Sequence, residues 1–275
     1  MNRILLYLVI SANLLAVASC KKNHETDLLP NLNTANDIML AQRPFIHVFD
    51  MLIKAALDEG LQNNFQAQID SASVVLDTGR KKYVFYYFGK LCPDSVRRIG
   101  SFQAILDGSL FTPGTTVKIS FVCFVEDSHS VTAKDSLRFD GPGQDEKLVF
   151  RSIIADAQIT KDTIGVIRWE GTYTFLIDPE ILSQGTKKTV VHIEGSGEGI
   201  SSMGWAFYSS IANPLRDSLG CPWIKDGKVT FYLSRGEVNN NTIEFMGKSQ
   251  CNNRINYDFD GNIYHWWLKE KYLVK

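Results

Sequence analysis

The sequence predicts an all-β protein, with sandwich-like antiparallel sheets in two related tandem units and one N-terminal amphipathic helix. From Ser71 onward, short runs rich in β-branched and aromatic residues, such as "KKYVFYYF" and "GVIRWEGTYTFLI", are punctuated by Gly, Asp, Asn or Pro. The Asp260-Gly261 step near the end is typical of a tight type I′ hairpin turn. We therefore expect strands to form the body of the protein.

The N-terminus predicts export and lipidation. Arg3 precedes an apolar run, Ile4 to Val17, that is too short for a permanent membrane helix but suits a cleaved signal. The run ends in "VASC", so residues 1–19 are predicted to be a lipoprotein signal peptide and Cys20 the acylated first residue of the mature chain. An ordinary signal peptide with an incidental cysteine is the alternative. Lys21 stands where an aspartate would favour the inner membrane, so we expect an outer-membrane anchor, on the periplasmic or the surface face.

One helix is expected before the strands. Residues Lys21 to Ala35 are polar with little apolar periodicity, and 20–43 are predicted to be the lipidated cysteine and a flexible tether. Residues 44–61 are predicted to be the helix, because Pro44 is a good first helical residue and Gly60 supplies a stop. Apolar residues recur at helical spacing on one face, which holds Phe45, Phe49, Leu52 and Ala56. The opposite face is polar and expected to be solvated, and it holds His47, Asp50, Lys54 and Asp58.

A hairpin pattern that occurs twice divides the strands into two units. "YVFYYFGKLC" and "TIEFMGKSQC" share a strand, a Gly-Lys step and a cysteine, at Cys92 and Cys251, and each follows another strand and a polar turn. The same hairpin therefore occurs early and late. We predict a first β unit at 65–145 and a second at 146–275.

Four cysteines remain once Cys20 is acylated, and an even number in an exported protein indicates disulfides. Cys221 just precedes one predicted strand and Cys251 just follows the next, so a hairpin would place them side by side. We predict a structural disulfide between them, with Trp223 packed beside the sulfurs. Cys92 and Cys123 are a weaker candidate pair.

The environment of Cys123 leaves that weaker pair open. Strict alternation along "VKISFVCFV" puts Cys123 on the same face as Val117, Ile119 and Phe121, which should be the buried face. A bridge to Cys92 would close a short loop, but burial of both residues as free thiols fits the sequence nearly as well.

These residues resemble a family of uncharacterised lipoproteins from Bacteroidota with tandem β repeats. The late segment is similar to that family's repeat through Cys221, Trp223, Gly227, Gly247, Cys251-Asn252-Asn253 and the final Asp260-Gly261 hairpin. The early "FGKLCPDSVRRIGSFQAIL" is similar to the family's first repeat, and the amphipathic helix also fits. The chain departs from the family at Asn252, where an acidic residue is usual, and in lacking a cysteine upstream of the first hairpin. The resemblance implies no activity.

No catalytic, metal-ligating or cofactor-binding pattern stands out, so no enzyme, metal or cofactor is predicted. A net charge of -1 gives no basic footprint for nucleic acid. In "NIYHWWLK" the alternation puts Tyr264 and Trp266 on the core face, and Trp267 beside His265 on the other, where they could stack on a sugar or peptide. A sheet buried on both faces, or a loop that covers Trp267, is the alternative.

The leading hypothesis is a lipid-anchored envelope protein with a structural or binding role and no catalysis. Its expected partners are the membrane, through the anchor, and a glycan or an envelope protein. The alternative is a surface lipoprotein that binds or processes glycans. A concave aromatic-lined groove with two facing carboxylates would favour this alternative.

Overall fold

The computed structural model describes residues 24–143, 145–161, 165–180, 189–219, 221–234, 241–247, 251–252 and 254–267. Within them the chain forms two helices, α1 (His24–Leu57) and α2 (Glu59–Asn64). The first seven strands are β1 (Gln66–Ile69), β2 (Ala72–Asp77), β3 (Lys82–Leu91), β4 (Arg97–Leu106), β5 (Thr116–Glu126), β6 (His129–Pro142) and β7 (Leu148–Lys161). The others are β8 (Gly165–Ile177), β9 (Val190–Ile200), β10 (Ala206–Ser218), β11 (Cys221–Leu233), β12 (Asn241–Phe245), β13 (Arg254–Phe259) and β14 (Asn262–Trp267).

The strands form one antiparallel sheet in which each strand pairs with its neighbours in the chain, from β1 at one edge to β14 at the other. The predicted all-β class with an N-terminal helix is confirmed. The predicted turn between β13 and β14 is also present, since Asp260 and Gly261 both have positive φ, at 51° and 80°. Both hairpins of the repeated pattern are present too, as β2–β3 and β11–β12.

The sheet is continuous where two units were expected. The boundary at 145–146 falls in the turn between β6 and β7, and these two strands pair from Ser130↔Thr160 to Pro142↔Leu148. The strands therefore build a single curled sheet, and its pairing runs across the predicted boundary between the two units. Its core lies between the inner face of the sheet and α1.

The sheet curls around α1. Phe45 packs edge-on against Phe121 of β5, and Phe49 stacks on Phe175 of β8 with ring centroids 4.0 Å apart. Farther along the sheet, Asn241 of β12 donates a 3.0 Å hydrogen bond to the helix. A helix that touches early, middle and late strands must lie inside the curve, and the right-handed twist of antiparallel strands supplies that curvature.

The helix is longer than the sequence predicts. It begins at His24 and has 34 residues, so the expected tether at 20–43 and the expected start at Pro44 are corrected for the described part of the chain. The helix ends at Leu57. Asp58 then caps α2 by accepting a 2.6 Å bond from the Leu61 N–H, and Gly60 lies inside α2.

Buried polar residues explain why the sequence pattern did not predict the first half of α1. Asn31, at 6% exposed, accepts the hydrogen bond from Asn241, and Asp37, at 3% exposed, accepts bonds of 2.7 and 2.8 Å from Ser202. These partners lie far away in the chain, so the helix looks polar in sequence yet is buried.

A β-bulge moves Cys123 to the outside of the sheet. Cys123 has φ of 48°, and the pairing register shifts beside it on both sides of β5. The bulge shifts the alternation by one residue, so Phe124 becomes buried and Cys123 exposed. Gly100 lies opposite, where a Cβ would come within 2.0 Å of the Cys123 carbonyl oxygen. The expected burial of Cys123 is therefore wrong.

Candidate functional site

A pocket of about 590 Å³ lies where the two ends of the curled sheet approach each other across α1. Its walls come from α1, from the β1–β2 and β3–β4 turns, and from β10, β11 and β12. Apolar side chains form much of the wall, among them Met51, Leu57, Ile69, Leu215, Leu219, Trp223, Ile224 and Phe245. We refer to this space as the pocket.

A polar stripe of α1 faces the pocket and consists of Arg43, His47, Asp50 and Lys54. Spacings of four, three and four residues place these side chains on one face of the helix. The sequence led us to expect His47, Asp50 and Lys54 in solvent. They are instead half-buried, because the two ends of the sheet close over this face of the helix.

Asp50 of α1 and Asp217 of β10 form a carboxyl pair in the pocket wall, hydrogen-bonded to each other. Such a bond requires a proton on one carboxyl. Asp217 is 3% exposed, and its Oδ1 also accepts a 2.7 Å bond from the Ser218 N–H. Among the described residues no N–H or hydroxyl group donates to Asp50 Oδ1 or Asp217 Oδ2. The pair is therefore held together by one shared proton.

The surroundings of the pair keep that proton bound. Burial raises the pKa of Asp50 well above its ordinary value, and the neighbouring Asp217 raises it further, while Lys54 opposes both. Burial also raises the pKa of Asp217 to about 6. Lys54 is itself paired with Asp70, at 2.7 Å, so only part of its charge acts on the carboxyl pair. Asp50 itself is half-buried in the pocket wall.

A buried ion network forms the other end of the pocket. Arg98 of β4 is fully buried; its Nε donates to Glu126 at 2.6 Å, and its two Nη groups donate to Asp94 at 2.9 and 2.6 Å. Arg43 of α1 donates to the other oxygen of Glu126 at 3.1 Å. Burial opposes ionisation of Glu126, but the two guanidinium groups outweigh it and lower its pKa. The network ties the β3–β4 turn, β5 and α1 together.

Between these groups lies a neutral hydrogen-bonded pair. His47 Nε2 and the Tyr87 hydroxyl are 2.7 Å apart. Burial lowers the pKa of His47 well below its ordinary value, and Arg98, Lys54 and Arg43 lower it further. Burial also raises the pKa of Tyr87. Both rings are therefore uncharged near neutral pH and serve as hydrogen-bonding groups.

The predicted disulfide is present beside the pocket. Cys221 and Cys251 are bonded, with their Cα atoms 5.6 Å apart, and both Cys221 and Trp223 line the pocket. The weaker prediction of a Cys92–Cys123 bridge is wrong. Cys92 is a buried free thiol in the pocket wall whose pKa is raised by burial, and Cys123 is a free thiol on the outer face.

The suggested platform on β14 is described only in part. Tyr264 and Trp266 pack against the core and His265 is exposed, as the alternation predicts. His265 Nδ1 is 2.7 Å from Asn256 Oδ1. The side chain of Trp267, like Cys20, lies outside what the structure describes, so a stacking role stays a prediction.

Comparison of the chain with protein-family models, curated proteins and solved structures found no match. In the described part of the chain, no helix combines the length and apolar character needed to cross a bilayer. Nor do three or more His, Cys, Asp or Glu side chains of that part come together in a group able to hold a metal ion. The pocket is therefore interpreted from its own geometry.

No pattern in the sequence indicates the pocket. Charged residues at helical spacing in the stripe were one available signal, but a solvated face has the same pattern. Asp217 carried no signal, because nothing in "NPLRDS" distinguishes a buried carboxyl from a surface one.

Proposed function

We propose that this protein is a lipid-anchored, non-catalytic binding protein of the cell envelope that takes a small organic molecule into the pocket. The pocket carries the proposal. A volume of about 590 Å³, apolar walls and a few convergent polar groups are typical of small-molecule sites. Anchoring through Cys20 rests on the "VASC" motif, and membership of the Bacteroidota lipoprotein family rests on the repeat residues given above.

The carboxyl pair supports binding over hydrolysis. Two carboxyls that cleave glycosidic bonds stand roughly 5 to 9.5 Å apart, which leaves room for substrate or water between them. Asp50 and Asp217 are in direct hydrogen-bonding contact, and Asp50 Oδ1 and Asp217 Oδ2 are fully buried. The neutral His47–Tyr87 pair likewise supports a hydrogen-bonding role.

Glycan binding is the second candidate. Trp223 shares the pocket with the facing Asp50–Asp217 carboxyls, and an aromatic surface beside carboxylates suits a sugar ring and its hydroxyls. Screening the purified full chain on a glycan array tests this candidate. If a variant with a filled pocket, such as Ile224→Trp, still binds the glycan, the glycan binds another face of the protein, such as β14.

Retention of a small molecule by the full chain tests the main proposal. We expect native mass spectrometry of the purified protein, after incubation with a metabolite extract, to detect a bound small molecule that denaturation releases. Ile224→Trp should abolish retention because Ile224 lines the pocket and a larger ring would fill it. Ile263→Trp is the matched control, since Ile263 is 58% exposed on β14. Absence of any retained molecule, or equal retention by Ile224→Trp, would contradict the proposal.

A further inference from the structure

We infer that the ligand of the pocket carries a protonated amine, and that this ammonium group binds the Asp50–Asp217 pair. The inference rests on the proposed binding function and names the ligand class for that same site.

The three cations that line the pocket, among the described residues, are already paired with carboxylates. Arg98 and Arg43 are paired with Asp94, Glu126 and Asp127, at 2.6 to 3.5 Å, and Lys54 is paired with Asp70 at 2.7 Å. These three cations are paired with four carboxylates, so these ion pairs carry no net positive charge. The negative charge of the Asp50–Asp217 pair comes in addition. The pocket is therefore complementary to a cation.

The pair also lacks hydrogen-bond donors. Among the described residues, the donors to Asp217 are the Ser218 N–H of its own strand and the proton shared with Asp50. Asp50 lines the pocket, and no N–H or hydroxyl donor of the described residues reaches its buried Oδ1. An ammonium group supplies three N–H donors and a positive charge at one point. A hard divalent cation prefers six or more oxygen ligands, and two carboxyls supply too few.

Binding of the amine displaces the shared proton. The neutral Asp50 carboxyl loses its proton to solvent, and the ammonium then lies against two carboxylates, so one proton is released for each ligand bound. The ammonium keeps all of its own protons. The apolar wall, from Leu57 to Phe245, receives the rest of the molecule. The ligand is thus an amine with an apolar body.

The charged groups facing the pair set the pH range of this exchange. Lys54 on α1 and Lys225 on β11 favour ionisation of the carboxyls, and Asp70 in the β1–β2 turn opposes it. Because burial and Asp217 keep the shared proton on Asp50, amine affinity should rise with pH until Asp50 is ionised in the free protein.

Tryptamine and tryptophol, which differ only in an ammonium or a hydroxyl at the end of the same side chain, test the inference on the purified full chain. We expect isothermal titration calorimetry near neutral pH to give tryptamine an affinity at least about tenfold higher than tryptophol, as a charge-assisted hydrogen bond requires. Titrations in buffers of different ionisation enthalpy should show release of up to one proton for tryptamine and none for tryptophol.

Variants separate the pair from the rest of the pocket. Asp50→Asn and Asp217→Asn should each lower tryptamine affinity about tenfold and leave tryptophol binding unchanged. Asp156→Asn is the control, because Asp156 is exposed on β7. Equal binding of both probes would overturn the inference and leave the proposed binding function standing. Binding of neither would overturn the inference, and the retention experiment with Ile224→Trp would then decide the proposed function separately.

Discussion

Replacing Asp217 with asparagine should make the protein less sensitive to rising pH. The side chain keeps its shape, and its amide can donate to Asp50 without a shared proton. In the wild type, the folded state holds that proton more tightly than the unfolded state does. Increasing the pH therefore favours the unfolded chain, whose carboxyls ionise first, and stability falls until the pH exceeds the folded pKa.

The structure gives the size of this effect. The pKa of Asp217 is about 6 in the folded protein and 3.8 in an exposed chain, a difference that corresponds to about 3 kcal/mol of unfolding free energy. The pKa of Asp50 is raised as well, mainly by burial, so its effect has the same sign and remains in the variant. Between about pH 4 and about pH 7, we expect Asp217→Asn to gain about 3 kcal/mol relative to the wild type.

Urea unfolding of both proteins across this pH range measures the gain. Asp37 and Asp135 also have raised pKa values, about 6 and about 7. They cause the same pH dependence of the unfolding free energy in both proteins, so the difference between the two proteins isolates the effect of the substituted carboxyl. Asp156→Asn, on the exposed surface, should follow the wild type. A stability difference between Asp217→Asn and the wild type that stays the same from acid to neutral pH would refute the shared proton.

The other predictions concern the disulfide, the ion network, the bulge and the anchor. Replacing Cys221 and Cys251 together with serine should lower the unfolding free energy by roughly 3 to 4 kcal/mol, because their bond closes a loop with a sequence separation of 30, and thermal unfolding by circular dichroism measures this. Arg98→Met should cost about 3 to 5 kcal/mol in urea unfolding, because its buried carboxylate partners lose their cation; an effect near zero would show that the network is not needed. Gly100→Ala should cost about 2 kcal/mol or more, since its Cβ would meet the carbonyl oxygen of the bulge, and a variant as stable as the wild type would contradict the bulge. Cys20→Ala should abolish incorporation of labelled palmitate and release the protein from membranes, whereas continued acylation would disprove the anchor.

Local sequence patterns determined much of the fold. The strands were predicted because alternation and β-branched residues act over a few neighbouring positions. The final hairpin turn followed from Asp260-Gly261, whose backbone geometry few other pairs adopt easily. The Cys221–Cys251 bond was predicted because a hairpin brings its own ends together. Where a single extra residue broke the alternation, at Cys123, the same reasoning failed.

The tertiary structure decided the length of α1, the curl of the sheet and the existence of the pocket. Asn31 and Asp37 belong to a buried helix only because Asn241 and Ser202, 210 and 165 residues away, satisfy their hydrogen bonds. Likewise, Asp50 looks like a surface residue in the sequence, and only folding places Asp217 of β10 beside it. A polar side chain is soluble or buried according to the partners that folding brings to it, and such partners leave no periodicity in the sequence.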